Sequence, residues 1–397
     1  MTSQLHRLSA IRAVLADSVP SGHESSAPAT DEAVALEVDS ILQRVSTSLD
    51  VEAERRGAAA GSEFAKARSL LIGHGTQALR KLSAGDGPEN FSDDEVGSLE
   101  AVVQFDGSRP ALVLREGAVD PHHPFLGKWA NDIGGGVQSI RHCASSVGRL
   151  EPSGGGPLDF FGTGFIFDCK AMLIITAGHV LDQIVKRVGR NGSKSGDVLK
   201  LGDEVRIDFD GEADTAAKRL LKVEAGVRVG KSADMALLVA RPLSEKEDAD
   251  HADAEVPASI DTRLVVPAGG KPVPGSLCVI GFPARFAPPR SQPDGHQVNW
   301  EWVRYHLTGA AQGVKRLAPG LPLRQPDPNS NGRTFGHDAT TAGGNSGSPV
   351  IAWKDQHQPA IGVHVSGMTF ETNEAEFLAS IGEDLNCAMQ ALRKWRA

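Results

Sequence analysis

One serine in this chain stands at the head of a run of small residues, Gly343-Gly344-Asn345-Ser346-Gly347-Ser348-Pro349-Val350. Small residues let the backbone turn sharply and let another molecule come close. Such a turn can aim the N–H groups of Gly344 and Ser346 at one point beside the Ser346 hydroxyl, where negative charge on an oxygen would be stabilised. A hydroxyl is a poor nucleophile at neutral pH. It needs a base, and the base needs an orienting carboxylate. His179, in Thr176-Ala177-Gly178-His179-Val180, follows an apolar run and is a candidate base. Asp234 is followed at once by Met235-Ala236-Leu237-Leu238, a costly place for a carboxylate without a partner. Asp208 and Asp210 are rival acids, though neither precedes such a run. The plain alternatives are a Gly/Ser surface turn, a structural histidine and an aspartate at the edge of a solvated turn.

The octapeptide G-G-N-S-G-S-P-V resembles the nucleophile loop of chymotrypsin-fold serine proteases, in the form common in bacteria. Thr176-Ala177-Gly178-His179 resembles the T-A-x-H element that carries the general base. Ser232-Ala233-Asp234-Met235-Ala236-Leu237 resembles the D-x-A-L element that supplies the acid. The order His179, Asp234, Ser346 is that of this fold and not of subtilisins or α/β-hydrolases. The intervals, 55 and 112 residues, are long for it, and loops must hold the excess. The resemblance covers about residues 140 to 395. It implies an all-β double barrel of chymotrypsin type and a serine endopeptidase acting through an acyl-enzyme, with His179, Asp234 and Ser346 catalytic and the Gly344 and Ser346 amides as oxyanion hole. The other function carried is a protease-fold peptide-binding module, or an adaptor-controlled effector with low intrinsic turnover. Asn345 stands where the animal enzymes have an aspartate, so activation by capture of a new N-terminus is not expected.

The pocket residues carry a finer resemblance. Thr340, six before the serine, replaces the carboxylate that gives trypsin its taste for Arg and Lys; Thr341 follows it. The later stretch Ile361-Gly362-Val363-His364-Val365-Ser366-Gly367 resembles the G-[IV]-H strand of glutamyl endopeptidases. Thr341 and His364 match the threonine and histidine that hold a substrate carboxylate there, and Ser366 lies on the same strand. A preference for Glu, then Asp, on the acyl side of the scissile bond is what this implies.

The chain has 397 residues, 40% hydrophobic and 23% charged, an ordinary globular composition with room for more than one core. A net charge of −9 argues against a general nucleic-acid or anionic-membrane binder. Arg7, Arg12 and Asp17 interrupt the opening segment, unlike a signal peptide, and no apolar run reaches the length of a membrane span. Cys143, Cys169, Cys278 and Cys387 show neither paired nor metal-ligand spacing, so reduced cysteines in a cytoplasmic protein are expected. His122-His123 and His337-Asp338 lack companions, and neither metal nor cofactor is expected.

The elements that must position these residues fall into three stretches. Apolar residues recur at helical steps from Ser3 to Leu82, with a breaker at Pro20-Ser21-Gly22, and Ser92-x-x-Glu95 is a capping-box signature. About four helices are expected up to residue 105. A short strand over Arg109–Leu114 and a Pro, His and Gly-rich connector, 106–139, follow. From 140 to 397 the texture is all-β, with strands expected at Ser145–Leu150, Gly162–Phe167, Ala171–Ala177, Glu204–Phe209, from about Val227 to Ala240, Ser276–Ile280, Trp300–Leu307 and Pro349–Trp353. Segments 188–197, 243–258 and 318–333 read as solvated loops, and Phe377–Trp395 as a closing helix. The helical stretch resembles in architecture the small adaptor domains joined to intracellular defence effectors, which implies a protein partner; a lid or packing role is the alternative. Otherwise the expected partner is a protein or peptide substrate.

Overall fold

The computed structural model describes residues 2–16, 36–188, 197–202, 204–213, 215, 219–244, 246–248, 255–262, 264, 273, 275–283, 297–308, 313–326, 333–353, 359–368 and 372–396. The chain begins with helices α1 (Thr2–Ala16), α2 (Val38–Arg56), α3 (Ser62–Ala84) and α4 (Asp93–Phe105). The breaker at 20–22 lies outside the described residues. In α4 the capping box forms in full: Glu95 N–H donates to Ser92 Oγ (3.2 Å) and Ser92 N–H to Glu95 Oε2 (2.9 Å). Gly85, at φ +78°, ends α3 with its N–H on Leu82 O. Ile41, Val45 and Leu49 of α2 and Leu71, Ala78 and Leu79 of α3 bury the faces their spacing predicts. Gly75 lets α4 approach: a Cβ there would stand 3.1 Å from Val102 Cγ2.

A hairpin, β1 (Leu112–Arg115) and β2 (Ala118–Val119), and helices α5 (Ala130–Gly135) and α6 (Val137–Ser145) follow. Strand texture was expected from Ile140. Instead α6 runs to Ser145, because Ile140, Cys143 and Ala144 bury one helical face. The first barrel comprises β3 (Val147–Pro152), β4 (Gly162–Asp168), β5 (Leu173–Ala177), β6 (Leu199–Lys200), β7 (Val205–Asp208), β8 (Leu220–Arg228) and β9 (Met235–Pro242), with α7 (Gly178–Val188) after β5. Antiparallel pairing runs β8-β7-β3-β4-β5-β9, and β9 returns to β8, closing six strands; β6 borders β8. Ile174, Ile207, Val223 and Leu238 fill its interior, while alternate residues such as Leu173 and Ile175 pack outward on the larger core. Burial on both faces explains the unbroken apolar runs.

The second sheet holds β10 (Leu277–Gly281), β11 (Arg316–Gly320), β12 (Pro322–Arg324), β13 (Thr334–His337), β14 (Pro349–Ile351), β15 (Ala360–Met368) and β16 (Thr372–Phe377). Its order is β12-β13-β16-β15-β14-β10-β11, continued by β1-β2. Only Leu321 separates β11 from β12, so one bent strand pairs with β10 at one end and β13 at the other. Helix α9 (Gly382–Arg396) closes the chain, burying Leu385, Ala388 and Leu392. Helices, a closed barrel, a second wrapped sheet and a terminal helix make the double-barrel arrangement the resemblance implies.

Two further expectations fail here. Residues 300–307 form a helix, α8 (Trp300–Thr308), not a strand. Trp300, Val303 and Leu307 lie on the face that meets α3 and α4. Asp94 Oδ1 accepts the N–H of Val298 at its start (2.9 Å), and Arg56 caps the carbonyls of His306 and Leu307 at its end (2.8 and 2.5 Å). The loop expected over 318–333 contains the end of β11 and all of β12, held by pairing that polarity does not reveal; 327–332 lie outside the described residues. So do 189–196 and 249–254 of the other two loops.

Candidate active site

Ser346 lies between β13 and β14, half-buried, in a turn with Gly344 at φ +88° and Gly347 at φ +91°. Both glycines occupy backbone that side chains resist. Gly347 also has no room: a Cβ would sit 2.0 Å from Thr163 O and 2.4 Å from Thr176 Oγ1. The loop is fastened by Gly347 N–H to His364 O (2.8 Å), Ser348 N–H to Asn345 O (2.9 Å) and Thr163 N–H to Ser346 O (2.9 Å). Among the described residues, neither the Gly344 nor the Ser346 N–H donates a hydrogen bond within the protein.

His179 is the second residue of α7, directly after β5. Its N–H donates to Asp234 Oδ1 (2.9 Å), and its Nδ1 lies 2.7 Å from Asp234 Oδ2. That pairing leaves Nε2 as the basic nitrogen. Asp234 sits one residue before β9, and β5–β9 pairing brings it beside His179. Burial alone would raise the Asp234 carboxyl. The hydrogen bond and charge of His179, its backbone N–H, and the Arg228 guanidinium outweigh burial and hold it below the usual value. Asp208 is spent on Arg149 (2.9 Å) and Asp210 on Arg219, so the rival acids are engaged elsewhere. No hydrogen bond joins Ser346 Oγ to His179 in this form; such contacts often tighten only with substrate.

Three partners of Asp234 and the Ser346 loop escape a reading of motifs. Arg228 Nη1 donates to Asp234 Oδ1 (3.1 Å). It also explains Gly178, whose Cβ would stand 1.6 Å from that nitrogen. Glu376 Oε1 accepts the Asp234 N–H (2.8 Å) from β16. Thr163 reaches the Ser346 loop from β4. The only advance signals were the glycine before His179 and the Gly-Thr-Gly run at 162–164.

The expected pocket residues lie on β15 and just before the nucleophile turn. His364 is buried, its Nδ1 3.2 Å from His337 Nε2, and burial with the nearby charge of His179 pushes it down to about 4. Burial and the neighbouring His364 also hold His337 well below the ordinary histidine value. Thr341 Oγ1 donates to Asn373 Oδ1 (2.7 Å), so its proton is engaged in the resting chain. Ser366 is exposed. Thr340 Oγ1 donates to Arg109 O (2.5 Å), and Arg109 forms a bidentate pair with Asp338 (2.7 and 2.8 Å). Asp338 beside His337 is therefore paired with a guanidinium.

Residues 162–363 match the model of the trypsin-like peptidase domain. A protein of Lysobacter enzymogenes named "probable serine protease" is 34% identical over 373 residues, covering 91% of this chain and 90% of that one. Among solved structures, a serine endoprotease from Yersinia pestis is 14% identical, covers 64% of this chain and 66% of that one, and has a TM-score of 0.37. The Vibrio cholerae VesB protease is 12% identical, covers 61% and 63%, and has a TM-score of 0.38. The chain thus spans a little under two thirds of each of those two solved chains.

Proposed function

The chain belongs to the trypsin-like serine peptidase family and is a serine endopeptidase, and from that premise we propose that it acts through His179, Asp234 and Ser346. Ser346 Oγ attacks the scissile carbonyl while His179 Nε2 takes its proton. Asp234, ionised, holds Nδ1–H and stabilises the imidazolium. The oxyanion is met by the N–H groups of Gly344 and Ser346. His179 returns the proton to the leaving amine, and water then resolves the acyl-enzyme by the reverse steps. The observation that carries this is the double contact between His179 and Asp234, backbone and ring, at 2.9 and 2.7 Å. A labelled fluorophosphonate tests it. The wild type should be labelled and Ser346→Ala should not; equal labelling of both would overturn the reading.

The finer reading is a preference for Glu on the acyl side, through His364 and Ser366, with Thr341 shaping the wall. Its support is chemical. His364 gives Nδ1 to the pair with His337, leaving Nε2 for a ligand. Both imidazoles are held neutral in the resting chain, and a carboxylate brought against Nε2 would draw a proton onto the pair, forming a charge-assisted hydrogen bond. Peptides differing only at that position test it: faster cleavage after Arg, Phe or Ala than after Glu would sink it. The helices before residue 105 are proposed to take a protein partner, and the cytoplasm is proposed as the site of action.

A further inference from the structure

Thr163, on β4, is fully buried, and each of its polar groups is used around the Ser346 loop. Its N–H donates to Ser346 O at 2.9 Å. Its hydroxyl donates to Gly344 O at 2.8 Å and accepts from the Phe282 N–H at 3.1 Å. Its own carbonyl accepts from Thr176 Oγ1 at 2.6 Å, three residues before His179. The two carbonyls it holds belong to Gly344 and Ser346, the same residues whose N–H groups have no hydrogen-bond partner among the described residues. A carbonyl held from outside fixes ψ of its residue, and with φ set by the turn, the N–H direction is fixed too. Gly344 most needs this hold: at φ +88° and without a Cβ, it has little steric resistance to rotation.

We infer that Thr163 is the positioning residue of the oxyanion site, clamping the Gly344 and Ser346 carbonyls so that both N–H groups stand ready before substrate arrives. Donors fixed in advance stabilise a developing oxyanion far better than donors that must reorganise. The inference rests on the reading of Ser346 as the nucleophile. Phe282 N–H on the same hydroxyl oxygen orients the Thr163 proton toward Gly344 O, because the oxygen's acceptor side is occupied.

The test uses the full-length protein with Thr163→Val, which keeps shape and loses the hydroxyl, and Thr163→Ser, which restores it. Loss of a whole oxyanion donor costs about 10²–10³ in kcat, so a loosened one should cost about 10- to 100-fold. Thr163→Val should show that loss per titrated active site, with KM within about two-fold, since the interaction belongs to the transition state. Fluorophosphonate inactivation should slow in parallel, and a peptide aldehyde, which forms a tetrahedral adduct, should bind more weakly by a similar factor. Thr163→Ser should return near to wild type. A role confined to folding would lower the melting temperature and the number of active sites but leave kcat per site unchanged, and that result overturns the inference. A wild type that is not labelled overturns the nucleophile reading, and the inference falls with it; labelling of Thr163→Val as fast as wild type overturns the inference alone. Should the valine variant not fold, Thr163→Cys against Thr163→Ser carries the test: cysteine weakens both hydrogen bonds and should be slow, and equal rates refute the clamp.

Discussion

Gly97→Ala sets two well-measured effects against each other. Gly97 lies inside α4, where alanine is favoured over glycine by about 0.8–1.0 kcal/mol. An added Cβ, however, would stand 2.4 Å from Trp300 Cδ1, 2.7 Å from Cγ and 2.8 Å from Nε1. Carbon contacts settle near 3.5–4.0 Å, so the indole must retreat by about 1 Å. It has little room, being 9% exposed and packed edge-on against His74 at a centroid distance of 5.8 Å. Overpacking of this kind costs about 1–3 kcal/mol. Complete release of an indole burying about 150–250 Å² would cost about 4–6 kcal/mol at about 25 cal/mol per Å². The clash therefore cancels or outweighs the helix gain, with a net loss of about 0–2 kcal/mol if Trp300 yields locally and more if α8 leaves. Gly73→Ala in α3 is the internal control: nothing lies within 4 Å of its would-be Cβ, so the helix gain should appear undiminished. Urea unfolding followed by far-UV circular dichroism and tryptophan fluorescence should move the two midpoints in opposite directions. If both variants were stabilised alike, with unchanged tryptophan emission, the tight seating of α8 on α4 would be refuted.

Ser346→Ala and His179→Ala should each remove measurable turnover and Asp234→Asn should lower kcat by about 10⁴, with the Ser346–His179 double variant scarcely worse than either single one, as steady-state assays would show. Lys315 is fully buried against Ala144 O and Phe209 O, and desolvation lowers it from 10.5 to about 8. Because the unfolded chain binds that proton more tightly, the penalty is present in full below pH 8 and is relieved as pH rises toward 10.5. The stability of the wild type relative to Lys315→Met should therefore rise by on the order of 3 kcal/mol across that window in denaturation at stepped pH. Arg109→Leu strands the buried Asp338 carboxylate and should cost about 3–5 kcal/mol, read as a fall in melting temperature, whereas the double change to Leu and Asn should recover part of it.

The nucleophile turn and the neighbourhoods of His179 and Asp234 were legible because local chemistry dictates them. A sharp turn demands glycines, and a carboxylate ahead of an apolar run demands a partner. The barrel strands were legible because burial on both faces writes continuous apolar runs. Arg228 and Glu376 were not: Glu376 reaches Asp234 across 142 positions, and only strand pairing decides which side chains meet. Helix α8 reads as a strand in the sequence because Trp300 and Trp302 alternate with polar residues, a strand's period. Val303 and Leu307 reveal the helical face only when α3 and α4 are there to receive it. Strand β12 was hidden in a polar, proline-rich stretch, where pairing with β13 rather than hydropathy makes the strand.

The grip of the N-terminal helices on α8 limits how this chain can be rearranged by recombination. Arg56 closes a helix end 251 positions downstream, in the middle of the second barrel, and β1 extends the same barrel's sheet alongside β11. Moving residues 1–105 onto another peptidase would leave behind the surface they were shaped to cover. A graft would have to carry the excursion between β10 and β11 as well, and a barrel stripped of the helices would show Trp300, Val303 and Leu307 to water. The helices and the second barrel are therefore expected to have diversified together, with compensating changes crossing between the two ends of the sequence.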